Sequence, residues 1–284
     1  MTTYRVTHTT AYAYEEEVAA SHSLLHLLPR DGEGQTCLST EIGSEPLAGD
    51  YAEHTDFFGN RVGYLAIHEP HRTLRITASS VVEVVEREPT LFADVPWERV
   101  RDVVAVDAVP FALDSPLVAA TPVLRAYAEP SFPAGRSLLD AVTELASRIH
   151  ADFAYAPGAT QVATPLEEVL EGRRGVCQDF AHVGIGCLRA LGLPARYVSG
   201  YLETDPPPGR PKLAGADASH AWFSVLVPEA GWLDLDPTND QLVNHRYVVT
   251  AFGRDYRDVP PVSGVVYAEG GTASLRVSVD VAVV

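Results

Sequence analysis

Basic side chains and cysteines are both scarce in this chain of 284 residues. Lys and Arg number 21 against 38 Asp and Glu, so the net charge is -17 at neutral pH. Nucleic acids are bound through clustered Lys and Arg, and anionic membrane surfaces attract basic segments, so we expect neither partner. Three cysteines are too few, and odd in number, for a disulfide framework. Their scarcity suits a reducing compartment.

Long apolar runs are absent as well. No uncharged apolar stretch reaches the roughly 20 residues that a membrane helix needs, and residues 1–8 lack the apolar segment of a signal peptide. We therefore expect a cytoplasmic protein that does not enter a membrane. The apolar share of 46% and the charged share of 21% are ordinary for a globular protein. The length allows one large or two modest domains, and the sequence does not indicate an oligomeric state.

The residue pattern divides the chain into three regions. Residues 1–88 hold short runs of strand formers between turn signals, which predicts a β-rich, sandwich-like N-terminal domain. Residues 89–135 are rich in proline, which predicts a connector with short helices. Residues 136–284 carry the longest helical patterns and end in a strand, 274–284, that could pair with either sheet. Together the regions predict an α+β fold.

Helices precede strands in the third region. Apolar residues recur at helical spacing over 138–149, with Ser137 as the cap. Thr164 and Pro165 predict the cap and the first residue of a short helix that runs to about residue 170. A third helix is expected to begin near Cys177 and to end before Gly192. Three strands should follow, with a loop at 205–209 between the first two; their ranges are 195–203, 220–227 and 232–236.

Three residues of this region have the placement that thiol catalysis needs. Cys177 stands at a helix start, where the aligned N–H groups favour a thiolate. His220 begins one strand and Asp236 ends the next, so an antiparallel hairpin would set the two side by side. An imidazole takes the proton of the thiol and later protonates the leaving group, and a carboxylate fixes its tautomer. The pattern predicts a catalytic triad, although spacing alone leaves open that Cys177 is a small core residue.

Four sequence motifs, at 175–182, 192–201, 220–222 and 232–238, resemble the core of the bacterial transglutaminase-like proteins. Residues 12–14, 58–60 and 253–261 resemble other parts of the same family, as does the early His8. The resemblance implies a papain-like core behind a β-rich N-terminal domain. It assigns the nucleophile to Cys177, the base to His220 and the orienting carboxylate to Asp236.

Acidic residues near this triad have competing interpretations. Asp234 lies two residues before Asp236 and shares its strand face, so periodicity does not choose between them. The resemblance favours Asp236 and leaves Asp234 as a solvated or supporting group. Asp179 is expected to cap the helix of the nucleophile. Residues 254–256 are expected to form an internal salt bridge rather than to border the cleft.

Gln178, Trp222 and His182 are candidates for the substrate cleft. Trp222 fits core packing equally well, and His182 fits a structural hydrogen bond. Cys177, His182 and Cys187 could be taken for a metal cluster, but their spacing differs from that of zinc sites, so Cys187 is expected in the core. The sequence contains no calcium loop, phosphate loop or dinucleotide motif, and we expect no metal and no cofactor.

The expected function is thiol-dependent acyl transfer at an amide, either a peptide or isopeptide bond or a glutamine-type side chain, through a thioester. Water as the second nucleophile gives a peptidase or amidase, which is slightly favoured. A primary amine gives a transamidase, and the same triad serves both reactions. A binding module without catalysis on the same fold is the alternative from another class, and the complete triad argues against it.

Overall fold

The computed structural model describes residues 1–32, 34–86, 95–101, 106–204 and 219–284. The predicted loop at 205–209 and part of the proline-rich connector lie outside these residues. The described residues form two large sheets and a group of helices around several apolar cores. No described helix is long and apolar enough to cross a membrane.

The N-terminal region is β-rich, as predicted. Its strands are β1 Thr2–Leu25, β2 Gln35–Glu45, β3 Asp50–Thr55, β4 Arg61–Ile67 and β5 His71–Val84. The long strand β1 is central and pairs antiparallel with both β4 and β5. Leu74, Ile76 and Ala78 are buried in alternation with more exposed neighbours, because successive side chains of a strand point to opposite faces.

Helices fill the connector and the start of the third region. They are α1 Glu98–Arg101, α2 Val109–Ala112, α3 Pro122–Ala128, α4 Leu138–Asp152, α5 Leu166–Gly172 and α6 Cys177–Ala190. The helix α4 has the expected apolar face, with Leu145 and Ile149 buried. The hydroxyl of Ser137 accepts a hydrogen bond from the backbone N–H of Asp140, which confirms the predicted cap.

The start of α5 differs by one residue from its prediction. Pro165 is the capping residue rather than the first helical one, and it makes no side-chain cap. The hydroxyl of Thr164 instead accepts a hydrogen bond from the backbone N–H of Gln161 at 2.9 Å. Because that bond closes a turn before the helix, Thr164 is not available as its cap. The helix also runs to Gly172, beyond the predicted end.

The next seven strands along the chain are β6 Ala154–Tyr155, β7 Arg174–Gly175, β8 Ala195–Leu202, β9 Ser219–Val227, β10 Gly231–Asp236, β11 Gln241–Leu242 and β12 Tyr247–Gly253. The short strands β6 and β7 form a separate parallel pair. The other five form the second sheet, which has the order β11-β10-β9-β8-β12 and is antiparallel throughout. The strands β9 and β10 form the predicted hairpin. The helix α6 packs closely on β9, since a Cβ on Gly184 would lie 2.6 Å from the ring of Phe223.

The last two strands, β13 Val262–Ala268 and β14 Ala273–Val283, belong to the first sheet. Both pair antiparallel with β1, which brings this sheet to seven strands. The sequence left the partner of 274–284 open, and hydrogen bonding assigns it to the N-terminal sheet. Region 136–284 therefore contributes strands to both sheets. The sequence could not predict this pairing, because contacts between the two ends of the chain leave no local pattern.

The contact between α6 and β9 predicts the effect of a substitution at Gly184. Gly184→Val should lower the free energy of unfolding by about 1–3 kcal/mol, because the added side chain overpacks the helix against Phe223. Denaturant unfolding measures this loss. Gly43→Val is the matched control, since a Cβ at Gly43 meets nothing within 4 Å. Equal stability of the two variants would contradict the described packing of α6.

Candidate active site

Cys177 is the first residue of α6, and Asp179 sets that position. The carboxylate of Asp179 accepts hydrogen bonds from the backbone N–H of Val176 at 2.8 Å and from the hydroxyl of Thr160 at 2.7 Å. Val176 is extended, so the helix begins at the next residue. A Cβ on Gly175 would lie 2.8 Å from the side chain of Asp179, so this cap requires glycine there. Asp179 caps the helix, as expected, and Cys177 stays partly exposed.

The hairpin of β9 and β10 places His220 beside Asp236. His220 Nε2 lies 2.6 Å from Asp236 Oδ2, and Asp236 is completely buried. Because the carboxylate engages Nε2, Nδ1 is the nitrogen left to face Cys177, which lies near enough to act on the pKa of His220. The structure therefore brings the three predicted catalytic side chains together in the order thiol, imidazole, carboxylate.

The surroundings of His220 favour its charged form. Burial alone would lower the pKa of His220, but the hydrogen bond that His220 donates to Asp236, together with the negative charges of Asp236 and Cys177, raises that pKa to about 10. An imidazolium is thus retained at neutral pH. A charged imidazole beside a thiol stabilises the thiolate, which is the nucleophilic form of cysteine.

Asp236 is held by five hydrogen bonds in addition to being buried. Its Oδ1 accepts from the backbone N–H groups of Thr238 at 2.8 Å and Asn239 at 3.2 Å. Its Oδ2 accepts from His220, from the side-chain amide of Asn239 at 2.7 Å and from the hydroxyl of Tyr247 at 2.6 Å. Burial would raise the pKa of Asp236, but these donors and the charge of His220 lower it. The carboxylate is therefore both ionised and fixed in orientation.

Sequence reasoning missed Asn239 and Tyr247 as partners of Asp236. Asn239 directly follows the Asp-Pro-Thr motif, so its position near the carboxylate could have been read from the sequence. Tyr247 stands on β12, two strands away from β9 in the sheet order, and no local pattern marks it. Burial and the charge of Asp236 raise the pKa of Tyr247, so its hydroxyl stays protonated and donates.

Asp234 belongs to a separate polar group. Its Oδ1 accepts a hydrogen bond from the hydroxyl of Ser224 on the neighbouring strand β9. The same hydroxyl lies 3.3 Å from Nε of Arg196. Of the two acidic residues at the end of β10, Asp236 is therefore the one that contacts His220.

The three cleft candidates have different surroundings. Gln178 is partly exposed, next to Cys177, and its side-chain amide donates to the carbonyl of Val162 at 3.3 Å. Trp222 is completely buried, with its ring centroid 6.1 Å from that of His220. His182 is 4% exposed and accepts a hydrogen bond from a backbone N–H. Neither Trp222 nor His182 offers surface to a substrate, so burial corrects their assignment to the cleft.

His182 has a structural hydrogen bond, which was its alternative interpretation. Its Nε2 accepts from the backbone N–H of Tyr256 at 3.1 Å, and burial lowers the pKa of His182 to about 4, so the ring is neutral. Cys187 is completely buried in the apolar core, where burial raises its pKa to about 12. Within the described ranges, no group of three His, Cys, Asp or Glu side chains is arranged to hold a metal ion.

The C-terminal motif forms an internal salt bridge, as expected. The guanidinium of Arg254 pairs with Asp258 at 2.9 Å. The buried carboxylate of Asp255 accepts from the backbone N–H groups of Leu117 and Arg257, each at 2.8 Å. The bond from Leu117 ties the segment after β12 to the connector, and the other two bonds hold the segment in its own turn.

Tyr155 is a further side chain near the thiol that sequence reasoning missed. It is 57% exposed and meets Phe180 of α6 edge to face, with ring centroids 6.4 Å apart. Partial burial and the charge of Cys177 raise the pKa of Tyr155. An exposed aromatic ring within electrostatic range of Cys177 is suited to contact a molecule that binds at this thiol.

Two protein families match successive parts of the chain. Residues 4–83 match the bacterial transglutaminase-like N-terminal region, and residues 125–237 match the transglutaminase-like superfamily. An uncharacterized protein of Mycobacterium tuberculosis is 46% identical over 288 residues, which cover 98% of this chain and 92% of that protein. A protein-glutamine gamma-glutamyltransferase of Pseudomonas aeruginosa is 38% identical over 92 residues, which cover 31% of this chain and 14% of that protein.

A solved structure has the same fold. It is a protein of Cytophaga hutchinsonii, provisionally described as a cysteine protease, with a TM-score of 0.79 and 23% sequence identity. The match covers 99% of this chain and 90% of that chain. The α+β fold with a transglutaminase-like core is thereby confirmed. By its two family matches and its fold, the chain belongs to the transglutaminase-like superfamily and carries the bacterial N-terminal region of that superfamily.

Proposed function

We propose that this protein is a cysteine enzyme that transfers an acyl group from an amide through a thioester on Cys177. The observation that carries the proposal is a partly exposed thiol at a helix start, within electrostatic range of an imidazole that a buried carboxylate holds. Membership of a superfamily with thiol-based acyl transfer supports the same chemistry.

The first half of the reaction uses Cys177 and His220. The thiolate attacks the carbonyl carbon of the amide, and the imidazolium of His220 donates its proton to the departing amine or ammonia. The products are a thioester on Cys177 and a neutral imidazole. Asp236 accepts the hydrogen bond of Nε2 throughout and so keeps Nδ1 directed at the sulfur. The backbone N–H of Cys177 is our candidate for stabilising the negative oxygen.

The second half depends on the nucleophile that resolves the thioester. His220 takes a proton from that nucleophile, which attacks the carbonyl carbon and releases the thiolate. Water gives hydrolysis of a peptide, isopeptide or glutamine-type amide, which we favour slightly. A primary amine gives a new amide, and the similarity to the gamma-glutamyltransferase of Pseudomonas aeruginosa favours this second candidate. The cytoplasmic location stays a prediction.

The nucleophile is tested by Cys177→Ala. Wild-type protein incubated with a library of glutamine-containing peptides should convert an amide to an acid, add water across a peptide bond, or form an adduct with an added primary amine. Mass spectrometry distinguishes these products. Cys177→Ala should form none of them, because no thioester can arise. Cys37→Ala, which changes a cysteine in the N-terminal sheet, should act like wild type. Turnover by Cys177→Ala near the wild-type rate would overturn the proposal.

The choice of carboxylate is tested by Asp236→Asn and Asp234→Asn. In a Cys177→Ala background, Asp236→Asn should lower the pKa of His220 by about 1–3 units, because a neighbouring negative charge is lost. Nuclear magnetic resonance of the imidazole follows this titration.

Asp234→Asn is the matched control for that change. With Cys177 intact, Asp236→Asn should also lower kcat by roughly 10²-fold or more, and Asp234→Asn should lower it far less. An equal or larger effect of Asp234→Asn, in either measurement, would reverse the assignment.

A further inference from the structure

The strand β12 is the outer strand of the second sheet, and among the described strands it pairs only with β8. Its partner on the inner side is β8, with a register shift between Val249 and Ala251. The N–H and C=O groups of the other edge need partners elsewhere, since an unpaired buried backbone group costs free energy. Two side chains of the N-terminal region, Gln35 and Asn60, provide partners for Val249 and Phe252.

Gln35, the first residue of β2, pairs with Val249 as a strand residue would. Its Oε1 accepts from the backbone N–H of Val249 at 2.8 Å, and its Nε2 donates to the carbonyl of Val249 at 2.8 Å. The same Nε2 also donates to the carbonyl of Arg30 at 2.7 Å, and this second bond fixes the orientation of the side-chain amide. Gln35 is 8% exposed, so these bonds are shielded from water.

Asn60 makes the same pair of bonds three residues further along β12. Its Oδ1 accepts from the backbone N–H of Phe252 at 3.0 Å, and its Nδ2 donates to the carbonyl of Phe252 at 2.9 Å. Asn60 is completely buried and is oriented by Asp56 and Arg30. Asn60 ends the Phe-Gly-Asn turn that resembles the bacterial N-terminal region. Its two bonds to Phe252 show that this turn holds the N-terminal region against β12.

The first residue of β12 is Tyr247, whose hydroxyl donates a hydrogen bond to the carboxylate of Asp236 at 2.6 Å. The side-chain amide of Gln241 donates to the same hydroxyl at 2.6 Å. A cavity of about 290 Å³ lies beside β12 and is lined by Gln35, Tyr247 and Val249, among others. On this side, side chains do not fill the space, so the amide pairs of Gln35 and Asn60 add to the packing of Val248 and to the pairing with β8 in holding β12.

We propose that the N-terminal region positions the catalytic carboxylate. Gln35 and Asn60 hold β12 in place, and Tyr247 on β12 is a positioning residue that orients Asp236 through its hydrogen bond. The inference rests on the proposed function, because it takes Asp236 as the carboxylate of the triad. Loss of the amide bonds of Gln35 or Asn60 to β12 leaves Cys177 and the cleft in place but lets Tyr247 move away from Asp236. It therefore lowers kcat and leaves KM unchanged.

A double-mutant cycle with Gln35→Met and Tyr247→Phe tests the inference. Gln35→Met keeps the size of the side chain and removes both amide bonds, and Tyr247→Phe removes only the hydroxyl. Tyr247→Phe should lower kcat about tenfold, because one hydrogen bond to a charged group is lost. Gln35→Met should lower kcat by a smaller factor. In the double variant, kcat should equal that of Tyr247→Phe alone, because both changes act through one contact.

The titration of His220 gives a second readout that needs no activity. In a Cys177→Ala background, both single variants should move the midpoint of His220 upward, because an ionised carboxylate that loses a donor attracts the imidazolium more strongly. The double variant should move it no further than Tyr247→Phe. Tyr201→Phe is the control, since it removes a hydrogen bond to His8 across the same interface without touching the outer edge of β12. It should leave kcat and the titration unchanged.

The outcomes separate the two proposals. If the enzyme turns over amides but Gln35→Met leaves kcat and the titration of His220 unchanged, or if the two changes add independently, the positioning inference is wrong and the proposed function stands. If no amide is turned over but the titration moves as expected, the proposed function fails and the positioning inference stands.

Discussion

A carboxylate that is shut away from water needs hydrogen-bond donors, and the arrangement around Asp236 follows from this constraint. Asp236 is completely buried and accepts five hydrogen bonds, from His220, Thr238, Asn239 twice and Tyr247. Four of them come from groups other than the imidazole, so the carboxylate stays ionised and oriented whether or not His220 carries a proton. The imidazole in turn keeps one fixed tautomer, with its free nitrogen toward the sulfur.

The position of the sulfur depends on the packing of one helix. The helix α6 lies on β9 with no room for a side chain at Gly184, and Asp179 fixes its first residue. The thiol comes from this helix and the imidazole and carboxylate from the sheet below it, so their contact depends on the helix–sheet interface. The N-terminal region meets the second sheet at β12, where the side-chain amides of Gln35 and Asn60 pair with the backbone of Val249 and Phe252.

The sequence predicted the parts of the fold and site that have a local pattern. The apolar face of α4 repeats at helical spacing, and the hairpin of β9 and β10 follows from a short turn between two strands. Contacts between distant segments leave no such pattern. Three contacts depend on the final packing of the chain in this way. They are the pairing of β13 and β14 with β1, the hydrogen bond from Tyr247 to Asp236, and the bonds between Gln35 and Val249. The burial of Trp222 and His182 likewise appears only once both faces of the second sheet are covered.

The central claim is that Cys177 and His220 form a reactive ion pair. The most direct test is the rate at which iodoacetamide alkylates Cys177 as a function of pH, resolved from Cys37 and Cys187 by peptide mass spectrometry, in wild type and in His220→Ala. The ion pair predicts fast alkylation of the wild type at pH 6, and a shift of the variant toward the pH dependence of a free cysteine. A wild-type midpoint at or above that of a free cysteine would contradict the ion pair and the proposed catalytic role of this site.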